Sequence, residues 1–257
     1  MDKDLVTIIM AGGLGTRMES NIPKVIHKLA GIPMINHILQ NLRNLEKKIN
    51  LKQILIVVGK YKEQIKEAIE DSIEDSTNIT YVNQLEALGT GHAIQCCISE
   101  LIKYPNTNTL ILSGDVPMLS TNSMFNLIDN LYKARIITTT TNNPTGYGRI
   151  IIKNGEFDRI VEHNDCNSEQ LNILKVNCGV YAFNTEILCE WLPLIRNNNK
   201  KHEYYLTDIV EIIKREENTK IELYDLPTEK IIEVTGVNTV SQLNKLNDLI
   251  IKLNNKL

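Results

Sequence analysis

Apolar residues follow two alternating patterns along the chain, short runs rich in Val and Ile and longer segments with helical spacing. The short runs predict strands of a largely parallel sheet, because such strands are covered by helices on both faces. In the first half these runs lie at Val6 to Met10, Ile54 to Val58, near Tyr81, and at Leu110 to Leu112. Alternation of strand and helix is typical of an α/β domain.

Helical spacing is clearest after Pro33, where one apolar stripe consists of Ile35, Ile38, Leu39, Leu42 and Leu45. Residues three and four positions apart lie on the same face of a helix, so this stripe predicts a helix that buries one side. Two further helices are predicted from about Lys62 to Ile73 and from about His92 to Leu101. The first half is therefore predicted to be doubly wound, with helices on both faces of the sheet.

The second half has shorter extended segments separated by Gly, Asn and Asp. The predicted segments are Ile136 to Thr141, Arg149 to Ile152, Ile160 to Glu162, Val180 to Phe183 and Ile231 to Val234. Helices are predicted at Thr207 to Glu217 and at Thr239 to Asn255, the latter with a stripe of Leu243, Leu246, Leu249, Ile250 and Leu253. We expect a mixed sheet with a substrate-binding lobe. Because no linker or internal repeat divides the chain, we predict one domain over residues 1–257.

Composition and charge exclude several classes of protein. Hydrophobic residues make up 42%, charged residues 23%, and the net charge is -3, so nothing indicates disorder or a nucleic-acid-binding surface. The sequence has no apolar run long enough to span a membrane and no signal-like start, which predicts a cytoplasmic protein without a membrane partner. The five cysteines include no C-x-x-C pair, so we expect neither a disulfide framework nor structural zinc.

A glycine-rich turn follows the first predicted strand, reading Ala11-Gly12-Gly13-Leu14-Gly15-Thr16-Arg17-Met18 and then Pro23-Lys24. Glycines let backbone N–H groups approach phosphate oxygens, and Arg17 and Lys24 are suited to neutralise a triphosphate. The turn is not a P-loop, and a dinucleotide fingerprint would need a glycine at Met18. A plain turn is the alternative for the glycines alone, but the two cations favour phosphate binding.

A second group of candidate residues is Ser113-Gly114-Asp115-Val116-Pro117, directly after the strand at Leu110 to Leu112. Ligands of open α/β sheets bind beyond the carboxyl ends of the strands, so Asp115 is a candidate ligand for magnesium. The alternative is a turn or a helix cap. Asn238 is a candidate second oxygen donor, and its alternative role is the N-cap of the last helix.

Eight stretches in one order resemble the N-acetylglucosamine-1-phosphate uridyltransferase family, namely the uridyltransferase domain of the bacterial bifunctional enzyme, over nearly the whole chain. The glycine-rich turn is shared by sugar nucleotidyltransferases in general. The stretches more specific to the family are Leu88-Gly89-Thr90-Gly91-His92, Thr145-Gly146-Tyr147-Gly148-Arg149, Val161-Glu162-His163 and Glu203-Tyr204-Tyr205-Leu206-Thr207-Asp208. The remaining matches are Gly114-Asp115-Val116-Pro117, Asn177-Cys178-Gly179 and Gly236-Val237-Asn238.

The resemblance implies a Rossmann-like, GT-A-like fold and transfer of UMP from UTP to N-acetylglucosamine-1-phosphate, with Mg²⁺ as cofactor and pyrophosphate as second product. It implies nucleotide binding by Met10, Ala11, Gly12, Gly13, Gly15, Gln84, Gly89 and Thr90. It implies sugar binding by Gly114, Gly148, Glu162 and Asn177. Asp115 and Asn238 are the implied magnesium ligands, and Arg17 and Lys24 the implied catalytic cations.

Two of the implied sugar-binding residues have alternative roles. Glu162 taken alone could be a solvated strand-edge carboxylate, and Asn177 a turn residue. His92 and His163 are expected to be structural, because a phosphate nucleophile is already ionised and needs no general base.

The chain departs from the family at Leu14, Ser113, Cys178 and Thr235, where lysine, tyrosine, threonine and glutamate are usual. These changes leave the strictness of base and sugar choice open. No hexapeptide-repeat β-helix follows Leu257, so the acetyltransferase activity and trimer of the bifunctional enzyme are not expected, and the oligomeric state stays open. The alternatives are another sugar-1-phosphate nucleotidyltransferase, such as a glucose-1-phosphate thymidylyltransferase, and a non-catalytic nucleotide-sugar-binding module.

Overall fold

A computed structural model describes residues 4–13, 15, 18, 22–71 and 78–254 of the protein. The strands are β1 Leu5–Met10, β2 Lys28–Leu29, β3 Ile32–Pro33, β4 Leu51–Val58, β5 Ile79–Asn83, β6 Asn108–Ser113, β7 Ala134–Thr140, β8 Arg149–Lys153, β9 Glu156–Val161, β10 Lys175–Asn184 and β11 Glu222–Asp225. The α-helices are α1 Met34–Glu46, α2 Lys62–Glu70, α3 Thr90–Gln95, α4 Ile98–Leu101, α5 Thr121–Ile128, α6 Ser168–Leu171, α7 Thr185–Trp191, α8 Asp208–Glu216 and α9 Val240–Asn254.

Nine strands form one sheet in the order β11-β7-β10-β6-β1-β4-β5, in which β8 also pairs with β10 and β9 pairs with β8. All of them run in one direction except β9 and β10, as the parallel and antiparallel pairings require. The short strands β2 and β3 form a separate hairpin. The predicted mixed, mostly parallel sheet is therefore confirmed.

Helices cover both faces of the sheet. Successive side chains of β1 point to opposite faces, and each set packs against a different group of helices. Leu5 and Ile9 pack in a cluster with residues of α1, α2 and α5. Val6 and Ile8 pack in a second cluster with residues of α3, α4, α7 and α8. A third, smaller cluster packs α9 against Leu29 and Met34. The predicted helices on both faces are thus confirmed.

Several predicted elements are confirmed with small shifts of their ends. The predicted stripe of α1 is buried at all five positions, and α1 begins directly after Pro33. No helix in the described part of the chain is long and apolar enough to cross a membrane.

Four local predictions are wrong. His92 to Leu101 forms two short helices rather than one, and Glu162 lies just after β9 rather than in it. The segment Ile231 to Val234 is not extended but belongs to a 3-10 helix, from which Ile231 and Ile232 pack against different apolar clusters. On α9, Leu249 is 47% exposed, because only a narrow face that includes Leu243, Leu246 and Ile250 is buried.

Candidate active site

Two adjoining cavities open at the carboxyl ends of the central strands. Met10 at the end of β1 is paired with Ser113 at the end of β6, which brings the glycine-rich turn beside the segment that contains Asp115. The cavities share the lining residues Met10, Thr90, Ser113 and Asp115. The arrangement agrees with the position of ligand sites in open α/β sheets.

The first cavity, of about 280 Å³, is lined by predicted nucleotide-site residues and by Lys24. These predicted residues are Met10, Gly12, Gly13, Gln84, Gly89 and Thr90. The second cavity, of about 220 Å³, is lined by the predicted sugar residues Gly148, Glu162 and Asn177, and by Asn238. The two sets of predicted residues thus line neighbouring cavities, and Asp115 lines both of them.

Three described residues of the predicted site, Ala11, Gly15 and Gly114, line neither cavity. Ala11 is buried, and its N–H donates to Val57 at 2.8 Å. Gly15 has a positive φ of 59°, and a Cβ there would lie 2.8 Å from Lys24 Cβ. A Cβ on Gly114 would lie 2.8 Å from the carbonyl oxygen of Met10, so glycine permits close packing of the two strand ends. Arg17 and Leu14 lie outside the described residues.

Lys24 connects the segments that meet at the junction of the cavities. It begins a 3-10 helix that follows Pro23. Its ammonium group donates to the carboxylate oxygen Oδ2 of Asp115 and, at 3.1 Å, to the amide oxygen of Asn238. Both side chains of the Lys24–Asp115 pair are largely buried, with exposures of 14% and 16%. Two oxygens therefore converge on one cation.

Asp115 lies in a turn, but its side chain does not cap a helix. The hydroxyl of Ser113 donates to its Oδ1 at 2.6 Å, while Oδ2 contacts Lys24. The N-cap of the following helix α5 is instead Ser120, whose hydroxyl accepts from Ser123 N at 3.2 Å. Val237 N donates to the carbonyl oxygen of Asp115 at 2.9 Å and brings Asn238 to the site.

Asn238 is not the side-chain cap of α9. That position is taken by Thr239, whose hydroxyl oxygen accepts from Gln242 N at 3.2 Å. The Gln242 side chain accepts in return from Thr239 N at 3.1 Å, which completes a reciprocal capping arrangement. Thr239 caps the helix, and the Asn238 side-chain oxygen accepts from Lys24 instead.

One wall of the first cavity is formed by a loop that is hydrogen-bonded to a segment distant in sequence. Gly91 N donates to the carbonyl oxygen of Tyr204 at 2.7 Å, and Tyr204 N donates to that of Leu88 at 2.8 Å. The Thr90 hydroxyl accepts from Leu206 N at 3.0 Å. Gly89 has a φ of 115°, and a Cβ on it would lie 2.5 Å from the Tyr204 carbonyl oxygen.

The second cavity contains the carboxylate of Glu162. Thr207 donates to Glu162 Oε1 at 3.0 Å, and burial raises the pKa of Glu162. Glu162 is therefore a half-buried cavity residue and not a solvated strand-edge carboxylate. A Cβ on Gly148 would lie 3.6 Å from the same Oε1, so this glycine leaves room in front of the carboxylate.

Asn177 lies in β10 at an irregularity in the strand pairing, and both sides of its amide are engaged. Its Oδ1 accepts from Gly179 N at 3.2 Å, and its Nδ2 donates to the hydroxyl of Tyr181 at 2.7 Å. The predicted turn character is thus present as a local bulge within a strand, where Gly179 has a φ of 71°.

The cavity residues without a role in the sequence-based prediction include Tyr147, Tyr181 and Glu203. Tyr147 and Glu203 lie in stretches that resemble the family, whereas Tyr181 gave no signal because its contact with Asn177 depends on the bulge.

Neither predicted structural histidine lines these two cavities. His163 Nδ1 lies 3.3 Å from Arg149, and His92 Nδ1 lies 3.2 Å from Gln84 Nε2.

Two side-chain oxygens, one of Asp115 and one of Asn238, are the candidate metal ligands in the described part of the chain. The described residues contain no group of three or more His, Cys, Asp or Glu side chains that could hold a metal ion. The carboxylate of Asp115 and the amide of Asn238 are hard oxygen donors of the type that Mg²⁺ binds together with water and phosphate oxygens. Their convergence on the Lys24 ammonium marks a position suited to a cation.

The chain is similar in sequence to proteins of known name. The chain is 40% identical over 243 residues to the bifunctional protein GlmU of Clostridium botulinum (strain ATCC 19397 / Type A), with 93% of this chain and 50% of that protein covered. It is 41% identical over 245 residues to a protein of Acanthamoeba polyphaga mimivirus named "Probable UDP-N-acetylglucosamine pyrophosphorylase", with 93% of each covered. The chain thus spans about half the length of the GlmU relative.

A solved structure of a UDP-glucose pyrophosphorylase complexed with UDP-glucose has the same fold. Its TM-score is 0.73 at 19% identity, with 98% of this chain and 99% of that chain covered. This likeness confirms the Rossmann-like fold. The family described as "Nucleotidyl transferase" matches residues 6–226. Since that match spans most of the chain, and the cavities carry the glycine-rich turn and Asp115 side by side, the protein belongs to the nucleotidyl transferase family.

Proposed function

We propose that the protein transfers UMP from UTP to N-acetylglucosamine-1-phosphate and releases pyrophosphate. The observation that carries the proposal is the pair of cavities that meet at Asp115, one lined by the glycine-rich turn and Gln84, the other by Gly148 and Glu162. The names of the two relatives support these substrates. The described residues would then form a single catalytic domain.

The first cavity would hold the nucleotide. A Cβ on Gly13 would meet no protein atom within 4 Å, so it would project into open space. Without side chains, Gly12 and Gly13 would let the phosphates approach the backbone N–H groups. Gln84, Gly89 and Thr90 would contact the uracil at the far end. Met10, Ala11 and Gly15 would shape the turn around the phosphates.

The second cavity would hold the sugar phosphate. The Glu162 carboxylate would accept hydrogen bonds from sugar hydroxyls, and the Asn177 amide could accept or donate them. Gly148 would leave space for the sugar, and Gly114 would shape the adjacent strand end. Thr207 would keep the Glu162 carboxylate in one orientation through its 3.0 Å hydrogen bond. The phosphate of the sugar would point toward the junction at Asp115.

At the junction, an oxygen of the sugar phosphate would attack the α-phosphorus of UTP. A new P–O bond forms while the bond from the α-phosphorus to the β-bridging oxygen breaks, and that oxygen keeps the electron pair and leaves with pyrophosphate. The reaction needs positioning and cancellation of negative charge more than proton transfer. Lys24 and Arg17 would supply positive charge to the phosphates.

Asp115 and Asn238 would hold a Mg²⁺ ion, which supplies further positive charge to the phosphate oxygens when bound. The donor set fits this ion, because both ligands are hard oxygens that already converge on a cation. The Lys24 ammonium would leave this position and turn toward the phosphates.

The proposal is tested with purified protein, a panel of nucleoside triphosphates and a panel of sugar-1-phosphates, with pyrophosphate release as the readout. We expect the highest kcat/KM for UTP with N-acetylglucosamine-1-phosphate, and near-complete loss of turnover in Asp115→Ala. A preference for dTTP with glucose-1-phosphate would favour the thymidylyltransferase alternative. Binding of the nucleotide sugar without turnover would favour the non-catalytic module.

A further inference from the structure

The side-chain amide of Gln84 is held in one orientation at the base end of the first cavity. Gln84 is 9% exposed and lies directly after β5. Its Nε2 donates to the carbonyl oxygen of Gly89 at 3.0 Å. A carbonyl oxygen can only accept hydrogen bonds, so the nitrogen of the amide must face Gly89.

The second N–H of that amide faces His92. Gln84 Nε2 lies 3.2 Å from His92 Nδ1, so the ring nitrogen accepts and both amide N–H groups have partners. The remaining polar atom of Gln84, Oε1, is an acceptor only. It lies 3.4 Å from where a Cβ on Gly12 would stand, which places it on the side of the glycine-rich turn.

The His92 ring is fixed by its own neighbours. Accepting at Nδ1 requires the neutral ring with its proton on Nε2, and Nε2 lies 3.9 Å from Cys96 Sγ one helical turn further along. On another side the ring packs against Tyr204, with ring centroids 6.2 Å apart. The backbone of Tyr204 is in turn bonded to Leu88 and Gly91. His92 is thus held by the same loop that forms the base end of the cavity.

We infer that His92 is a positioning residue for choice of the nucleobase. By accepting from Gln84 Nε2, it leaves Oε1 on the Gly12 side of the cavity, where an acceptor would favour a base with an N–H on its pairing edge. Uracil has such a group at N3, whereas cytosine has a lone pair there. A site that hydrogen-bonds one ligand discriminates strongly against an analogue that leaves its polar groups unpaired. The inference rests on the proposed function, because it concerns the same nucleotide cavity.

The test compares three variants of the full chain, His92→Leu, His92→Asn and His92→Gln. Leucine has no acceptor, asparagine can place its Oδ1 where Nδ1 stood, and glutamine extends its amide beyond that point. The readout is the ratio of kcat/KM for UTP to that for CTP at constant N-acetylglucosamine-1-phosphate. The matched control is His37→Leu, since His37 contacts Leu29 and lines neither cavity.

We expect His92→Leu and His92→Gln to lower the UTP/CTP ratio by about tenfold or more, and His92→Asn to restore most of it. His37→Leu should leave the ratio unchanged. A merely structural role of His92 would change both nucleotides equally, so an unaltered ratio in a folded His92→Leu protein overturns the inference. If that variant does not fold, His92→Gln and His92→Asn decide it, and equal ratios for the two would overturn it.

The same experiment separates this inference from the proposed function. If the unmodified protein does not prefer UTP, the proposed substrate is wrong. If it prefers UTP and every His92 variant keeps that preference, only the role of His92 is wrong.

Discussion

The ammonium nitrogen of Lys24 lies 3.1 Å from the side-chain oxygen of Asn238, although 214 residues separate them in the chain. The same nitrogen contacts Asp115, so a cation lies between the two candidate metal ligands. Removing that cation leaves the carboxylate without its main partner, which costs free energy unless another cation replaces it.

Lys24→Met should therefore have two effects. The rate constant kcat should fall by about 10²-fold, as when one preorganised charged group is lost. Binding of Mn²⁺ or Mg²⁺ in the absence of nucleotide should become tighter, because the ion no longer competes with the ammonium group. Steady-state kinetics and calorimetric metal titration measure the two effects, with the exposed Lys28→Met as control. An unchanged kcat with a raised KM would show that Lys24 only binds substrate.

Thr207→Val should weaken binding of the sugar phosphate. Valine has nearly the shape of threonine but cannot donate to Glu162, so the carboxylate loses its 3.0 Å hydrogen bond. Loss of one hydrogen bond to a buried charged group corresponds to roughly tenfold in KM for N-acetylglucosamine-1-phosphate. Thr207→Ser keeps the hydroxyl and should stay close to the unmodified protein. Equal KM values for the valine and serine variants would remove this role.

Gly89→Ala should damage the base end of the nucleotide cavity. The new Cβ would lie 2.5 Å from the Tyr204 carbonyl oxygen, and the φ of 115° disfavours any side chain. Gly155→Ala is the matched control, since its φ is also positive at 79° but no atom lies within 4 Å of the new Cβ. We expect a larger loss in Tm and a higher KM for UTP in Gly89→Ala only. Comparable losses in both variants would attribute the effect to backbone strain alone.

Asp208→Asn should stabilise the fold in a pH-dependent way. Burial, together with the nearby carboxylates of Glu162, Glu211 and Asp165, raises the pKa of Asp208 from 3.8 to about 6. The folded state therefore binds this proton more tightly than the unfolded state, and the stability associated with it is lost as pH rises through about 6. At pH 8 the asparagine variant should melt at a higher temperature than the unmodified protein.

That difference in Tm should shrink as pH falls, and vanish below the unfolded pKa, where Asp208 is protonated in both states. Thermal unfolding at pH 8, 6 and 3 measures it. Asp248→Asn, on the exposed side of α9, is the control and should shift Tm little at any of these values. A constant gain across pH would contradict the raised pKa.

Local patterns predicted the central part of the molecule well. The Val- and Ile-rich runs identified β1 and β4 because such runs are specific to strands buried on both faces. The stripe of α1 was equally clear. By contrast, the sequence analysis did not predict α5, α7 or β11. These elements are short, and their formation depends on the surfaces against which they pack more than on the spacing of their own apolar residues.

The site was predictable as a set of residues but not as a set of contacts. The glycine-rich turn and Asp115 follow strand ends, so a shared edge of the sheet was a physical expectation. The contacts of Asn238 with Lys24 and of Thr207 with Glu162 join distant segments, and no local pattern encodes them. The catalytic role of Arg17 stays a prediction, as it lies outside the described residues.

The hydrogen bonds between the base loop and the Tyr204–Leu206 segment have a consequence for the order in which the protein becomes competent during synthesis. The Thr90 hydroxyl and Leu206 N are 116 residues apart, so the loop proposed to contact the nucleobase gains this hydrogen bond only after most of the chain has been synthesised. The N-terminal strands and helices can pack earlier, because their contacts are closer in sequence. A nascent chain that ends before this segment would carry the phosphate turn without a finished nucleobase pocket. The proposed nucleotide site would in this sense be completed late in folding, although all eight predicted nucleotide-binding residues lie in the first 90 positions.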